Sequence, residues 1–245
     1  MTTIIAHRGF AGVSPENTVG AVRAAAPDAD RVEIDVVACA DGTPVAFHDA
    51  RLDAGTDSRG LTDAAGTVAD LSPDVVTAAE VLESGDRVPT LDRMLAETAA
   101  PLNVELKRPV ATPGPRGALP PADREAARER WQPLVDRVFD RIDGRDVLCS
   151  SFYEGALAAV RKRDAAAPLA PICTDLATGR ELATRYDAET IHPSLAAVRA
   201  ADVVPPDRTV NVWTVRTWVE ARDAVRAGAD GLIADYPGLT QWLGD

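Results

Sequence analysis

Two acids interrupt an otherwise apolar run, Val32-Glu33-Ile34-Asp35-Val36. In an extended strand alternate side chains share a face, so Glu33 and Asp35 point the same way. Like charges side by side in an interior are costly unless positive charge meets them. Other chemically capable residues sit at the ends of short apolar runs: His7-Arg8, His48-Asp49, and Glu105 with Lys107 in PLNVELK. Glu105 and Lys107 are also two apart, hence on one face. The carboxylates of Glu33, Asp35 and Glu105 make a hard, oxygen-rich nest. It suits one divalent metal ion, Mg2+ or Ca2+, better than Zn2+, which prefers His and Cys. Such an ion would relieve the repulsion between the paired acids. Arg8 and Lys107 add positive charge that a metal does not need, which points to an anionic substrate, with phosphate fitting best. His7 and His48, with ordinary pKa values of about 6.5, can each give or take a proton near neutrality. Together these groups describe hydrolysis of a phosphate ester.

Each feature alone has a plainer reading. Glu33 and Asp35 would serve as an ion-paired couple on an edge strand, and Glu105 with Lys107 as a cross-strand ion pair. His192, in Ile-His-Pro, reads as a structural histidine. The chemical reading rests on their ordered recurrence at strand ends in a chain with only three histidines.

The elements that must carry these residues alternate. Strand-like segments fall at 3–7, 31–37, 101–107, 146–152, 169–173, 189–193, 208–215 and 230–235, with a further short strand at 44–49. Helical spacing appears at 17–26, 89–99, 122–142, 153–163, 178–186 and 217–228, with shorter helices at 195–201 and 238–243. Residues 50–88 are polar and glycine-rich, with little periodicity outside 74–82, and read as a small insertion after the second strand. Residues 108–123, rich in Pro and Gly, read as an irregular surface loop. Eightfold strand–helix alternation predicts an α/β (β/α)8 TIM barrel occupying 1–245 as one catalytic domain. An open doubly wound sheet is the competing architecture, but neither GxGxxG nor GxxxxGK is present. In a barrel, the C-terminal strand ends converge on one mouth, where all the polar groups above would meet.

The net charge of −12 argues against nucleic acid and against stable association with an anionic membrane, leaving a small-molecule phosphodiester as the expected partner. No apolar run reaches the roughly 20 residues of a membrane helix, and MTTIIAHRG lacks the basic and long apolar regions of a signal peptide, so a cytoplasmic location is expected. Cys39, Cys149 and Cys173 are odd in number and widely spaced, and read as reduced packing thiols. Lys107 and Lys162 are the only lysines, so a lysine within a strand suggests a chemical need.

The ordered set HRG (7–9), PENT (15–18), EID (33–35), HD (48–49) and ELK (105–107) resembles the glycerophosphodiester phosphodiesterases. GDRVPTLDRML (85–95), SSF (150–152), HP (192–193), VWTV (212–215) and DGLIADYP (230–237) agree with it. The resemblance implies a TIM barrel with an insertion after its second strand. It also implies metal-dependent cleavage of glycerophosphodiesters to glycerol 3-phosphate and an alcohol. By that resemblance Glu33, Asp35 and Glu105 match the metal ligands, and His7 and His48 the acid–base pair; His7 is taken here as base and His48 as acid, with roles that can swap between steps. Arg8 and Lys107 match the phosphate-binding cations. Trp213 matches an aromatic lining the substrate pocket; a core tryptophan is its other reading. Asn17 matches a loop residue supporting the site, or else caps a helix. Arg216 and Ala234 stand where Asn and Thr are common in the family, which leaves the alcohol open. A lysophospholipase D-type phosphodiesterase and a non-catalytic phosphodiester-binding barrel are the alternative functions.

Overall fold

A computed structural model describes residues 2–56, 58–201 and 204–241. The strands are β1 (Thr3–Ala6), β2 (Arg31–Ala38), β3 (Pro44–Ala46), β4 (Ala54–Gly55), β5 (Ser58–Arg59), β6 (Leu102–Arg108), β7 (Val147–Ser151), β8 (Leu169–Cys173), β9 (Thr190–Pro193), β10 (Thr209–Val215) and β11 (Gly231–Ala234). The α-helices are α1 (Val19–Ala25), α2 (Pro73–Ala78), α3 (Leu91–Glu97), α4 (Arg124–Ile142), α5 (Glu154–Arg163), α6 (Leu176–Arg185), α7 (Leu195–Ala201) and α8 (Trp218–Arg226).

Side-chain oxygens start several of these helices by accepting the backbone N–H groups that the first turn leaves unpaired. Thr18 accepts from Ala21, Thr90 from Arg93, Asp175 from Thr178 and Thr217 from Glu220. Glu220 in return accepts the Thr217 N–H, completing a reciprocal cap.

Strands β1, β2 and β6 to β11 run parallel, each bonded to the next, and β1 pairs with both β11 and β2, which closes an eight-stranded barrel. β3 lies antiparallel on β2. The strands are buried on both faces, as a barrel wrapped in helices requires. In β2 the outward set Val32, Ile34 and Val36 joins the main apolar core with Val22 and Ala25 of α1. The inward set is Glu33 and Asp35. β6 divides likewise, with Leu102, Val104 and Leu106 in the core and Asn103, Glu105 and Lys107 facing in.

Residues after β3 gather a second, smaller apolar cluster, in which Phe47, Leu52, Val68, Val76, Val81 and Val88 pack against Val37 and Val45. The short helix expected at 238–243 is a run of turns over 238–241, and 242–243 lie outside the described residues. The strand expected over 44–49 ends at Ala46, although Phe47 still donates its N–H to the Asp35 carbonyl at 3.0 Å. Among the described residues no helix is long and apolar enough to cross a membrane.

Candidate active site

The turn after β1 is built to face the acids of β2. Arg8 and Phe10 adopt left-handed backbone angles, a conformation that side chains other than Gly take up at some cost. The turn aims the Arg8 N–H at Glu33 Oε2, 2.9 Å away, and buries Phe10 in the core. Gly9 is left-handed as well, and a Cβ there would lie 2.8 Å from Ala21, so only Gly lets the turn sit on α1. The chain returns at Asn17, whose N–H donates to the Arg8 carbonyl at 3.0 Å. The Asn17 side chain donates to Asp35 Oδ2 and accepts from the Asp35 N–H, both at 2.9 Å. Thr18, not Asn17, caps the helix.

Glu33, Asp35 and Glu105 are buried, and one ligand oxygen from each falls within 4.8 Å of the others. Asp35 and Glu105 are register partners across β2 and β6. Lys107 Nζ lies 2.7 Å from Glu105 Oε1 and 3.1 Å from Asp35 Oδ1, and Arg8 Nε lies 3.0 Å from Asp35 Oδ2. Burial pushes Glu33 well above its ordinary pKa, and the charges of Asp35 and Glu105 push it further. Burial pushes Asp35 upward too, but Lys107 and Arg8 outweigh it and hold that carboxyl well below its usual range. Lys107 is raised despite burial because Asp35 and Glu105 stand against it. Glu33 Oε1 is buried without a hydrogen-bond partner, and Asp35 Oδ1 has only the ion contact to Lys107. Three converging hard oxygens with such unsatisfied capacity suit a divalent cation.

The two imidazoles are held alike. His7 Nδ1 lies 2.5 Å from Asp235 Oδ1, and His48 Nδ1 lies 2.6 Å from Asp49 Oδ1. A carboxylate at Nδ1 fixes the ring and the tautomer, so the second nitrogen is left for chemistry. His7 Nε2 is 4.0 Å from Glu33 Oε2. Burial lowers the pKa of His48, against the pull of Asp35.

Asp49 is in turn held by Arg59 of β5, through its N–H at 2.8 Å and its guanidinium at 3.0 Å. The same guanidinium grips both oxygens of Glu16 at 2.7 Å, and Glu16 accepts from Arg8 at 2.8 Å. A continuous ionic chain thus runs from Arg8 to His48.

One cavity of about 280 Å3 draws these groups together. His7, Arg8, Glu33, His48, Glu105 and Lys107 line it together with Phe152, Trp213, Ile172 and Ile233. Trp213 is half-buried, meets Phe152 edge-to-face at 5.3 Å and donates Nε1–H to the His192 carbonyl at 2.8 Å. It lines the cavity rather than the core. A larger groove of about 620 Å3, beside α4, α5 and the start of β7, contains none of these residues. His192 is fully buried, which pushes its pKa down to about 3. The three cysteines are buried and unpaired, their thiols pushed up to about 12 by burial.

The strand-end rule brings its candidates to this cavity, except that Asp35 meets it only through Lys107 and Arg8, and Asp49 only through His48. Asn17 stands one step further back, holding Asp35. The rule also applies to Asp49 and Asp235, to which the motif reading gave no role. Glu16 and Arg116 come from loops, and Arg59 from the two-residue strand β5, none with a periodic signal.

The family model described as "Glycerophosphoryl diester phosphodiesterase family" matches residues 7–239. A glycerophosphodiester phosphodiesterase of Bacillus altitudinis is 27% identical over 249 residues, covering 97% of this chain and 96% of the relative. One from Caldanaerobacter subterraneus subsp. tengcongensis is 28% identical over 255 residues, covering 96% and 95%. Among solved structures, an Oleispira antarctica phosphodiesterase in complex with the product sn-glycerol-3-phosphate superposes with a TM-score of 0.79 at 23% identity, covering 98% of this chain and 95% of that one. An Agrobacterium tumefaciens glycerophosphodiester phosphodiesterase superposes with a TM-score of 0.69 at 22% identity, with 98% of each chain covered.

Proposed function

The chain belongs to the glycerophosphoryl diester phosphodiesterase family, and from that membership we propose that it hydrolyses glycerophosphodiesters to glycerol 3-phosphate and an alcohol. One observation carries the reading: two imidazoles, each anchored at Nδ1 by a carboxylate, border the same cavity as the acidic nest and the cations of Arg8 and Lys107. A site that only bound a phosphodiester would need the cations but not a matched pair of proton carriers.

Glu33, Asp35 and Glu105 would hold one divalent ion, Mg2+ or Ca2+. When bound, that ion would supply Lewis-acid stabilisation of charge on the phosphoryl oxygens. Lys107 donates one N–H to Glu105 and stands in ion contact with Asp35, which leaves donor capacity for a non-bridging phosphate oxygen. Arg8, held by Glu16 and Asp35, lines the cavity beside it. His7 takes the proton of the nucleophile at Nε2, while Asp235 stabilises the imidazolium that forms. The nucleophile is either the glycerol 2-hydroxyl, giving a cyclic phosphate opened later by water, or water itself. His48 delivers a proton to the leaving alkoxide, with Asp49 holding its ring. Phe152, Trp213, Ile172 and Ile233 give the cavity an apolar wall that strengthens these interactions by excluding water.

Residues 50–88 belong to the proposal as an insertion of the single catalytic domain, contributing Arg59 behind His48. A cytoplasmic location is also part of it, supported by the three reduced, buried cysteines.

The test is to incubate purified protein with a panel of glycerophosphodiesters, with Mg2+ or Ca2+ and with EDTA, and to assay glycerol 3-phosphate. Metal-dependent release is expected. No release from any diester with metal supplied overturns the reading.

A further inference from the structure

Arg116 is the one arginine or lysine lining the cavity that has no carboxylate partner among the described residues. Arg8 and Lys107, by contrast, are both ion-paired. Its guanidinium lies over the Phe152 ring, 4.9 Å from the centroid. Stacking of this kind orients the planar group and leaves its N–H edge available.

The loop that carries it is fastened just beyond Arg116. The Gly117 N–H donates to the Phe152 carbonyl at 2.9 Å, and Gly117 takes the left-handed backbone angle that the tight path requires. Two residues on, the Leu119 N–H bonds to Glu154. Glu154 is fully buried at the start of α5 and is held by Arg124 at 3.1 Å, Arg185 at 2.7 Å and the Tyr186 hydroxyl at 2.9 Å. Arg116 is therefore presented to the cavity by a pinned loop in a chain that otherwise neutralises its site cations.

Lys107 Nζ stands 5.9 Å from the same Phe152 centroid, so both cations neighbour one ring. With a phosphodiester at Lys107, Arg116 lies within the reach of one alcohol moiety. Glycerol carries no charge, so an anionic group other than the scissile phosphate that meets Arg116 belongs to the alcohol. A quaternary ammonium would favour the exposed face of an aromatic ring, but Arg116 already covers one face of Phe152 and repels a cation there.

Resting on the hydrolase reading above, we infer that Arg116 is a specificity-determining residue that favours glycerophosphodiesters whose alcohol bears a carboxylate or phosphate oxyanion. An arginine fork suits either group.

Two matched pairs isolate that group: glycerophosphoserine against glycerophosphoethanolamine, which differ by a carboxylate, and glycerophosphoinositol 4-phosphate against glycerophosphoinositol, which differ by a phosphate. The readout is the ratio of kcat/KM within each pair for wild type, Arg116→Ala, Arg116→Lys and Arg116→Glu, at low and high salt. Wild type is expected to prefer the anionic member. Arg116→Ala should lower each ratio about tenfold, the scale of one charge-assisted hydrogen bond. Arg116→Lys should restore part of it, Arg116→Glu should lower it further, and salt should shrink the wild-type ratio. Ratios that Arg116→Ala leaves unmoved, or equal losses on all four diesters, overturn the inference alone. Absence of turnover of every diester with metal supplied overturns the hydrolase reading and this inference with it.

Discussion

His7 Nδ1 lies 2.5 Å from Asp235 Oδ1, a contact between residues 228 positions apart that forms only because β11 closes the barrel against β1. Asp235 is also gripped by Arg216 Nε at 2.8 Å, so its carboxylate is fixed from two sides and held below its ordinary pKa. Burial opposes that shift, and the bonds from His7 and Arg216 override it. Asp235→Asn would place an amide where an acceptor is needed and favour the proton on Nε2, the atom proposed to act as base. We expect kcat to fall by about 10^2- to 10^4-fold with little change in KM, on the scale of a misoriented catalytic imidazole. Steady-state kinetics with a thermal melt check this. A kcat within about threefold of wild type would remove His7 from the role of base, since orientation of a catalytic imidazole is worth far more than that.

Arg59 touches no cavity-lining acid directly, yet it ties Asp49 to Glu16, and through them His48 to Arg8. Being partly exposed, it adds little to stability through either ion pair by itself. Its role is to hold Asp49, which is buried and sits far below its ordinary pKa. Burial alone would raise that carboxyl, and hydrogen bonds from His48 and Arg59 bring it down. Arg59→Ala should reduce kcat by about tenfold to a hundredfold while costing about 1–2 kcal/mol in unfolding free energy. Arg59→Lys, which cannot fork across two carboxylates, should recover only part of the rate. Full activity in Arg59→Ala would show the chain from Arg8 to His48 to be idle.

The acidic nest makes the apo protein and the metal-bound protein respond oppositely to one substitution. Without an ion, Glu33 sits buried against Asp35 and Glu105 with one oxygen unsatisfied, an arrangement that opposes folding. Glu33→Gln removes a charge there and should leave the EDTA-treated protein as stable as wild type or more so. In wild type, added Mg2+ or Ca2+ should raise Tm through preferential binding to the folded state. In Glu33→Gln that rise should largely vanish. Differential scanning fluorimetry across a metal titration reads both effects. An equal rise in the two proteins would exclude Glu33 as a ligand.

The barrel and the nest were legible because both depend on short-range periodicity. Period two put Glu33 with Asp35 and Glu105 with Lys107, and the closed sheet turned both faces inward, giving the β2–β6 register of Asp35 opposite Glu105. Strand-end placement then predicted His7 and His48. It covers Asp235 as well, but its pairing with His7 follows from barrel closure, which local pattern does not encode. Arg59 and Arg116 were illegible for a different reason: each is placed by a bond to another segment, Arg59 N–H on the two-residue strand β5 to Asp49, and Gly117 N–H in the loop of Arg116 to the Phe152 carbonyl. The helix expected at 238–243 shows the limit of a short apolar pattern near a chain end, since residues 238–241 turn instead.

His192, which also borders the cavity, supplies an acid-lability prediction read from unfolding rather than from turnover. It is fully buried in β9, near Asn211 Nδ2 at 3.1 Å. Burial, with a smaller contribution from the charge of Arg31, pushes its pKa down to about 3. The folded ring therefore stays neutral where an unfolded one, with a pKa of about 6.5, takes up a proton. Between those values the unfolded state binds more protons, so stability falls as pH drops through the window and is unaffected above it. From pH 7 to pH 4 the loss attributable to this one group is about 3 kcal/mol. His192→Gln, which keeps an acceptor for Asn211, should be less stable than wild type at pH 7 through imperfect packing. It should nevertheless lose about 3 kcal/mol less on acidification, because every other titrating group is common to both proteins. Denaturant unfolding of the two proteins at pH 7 and pH 4 gives the comparison, and parallel losses would mean that His192 is already protonated, or solvated, within the folded barrel.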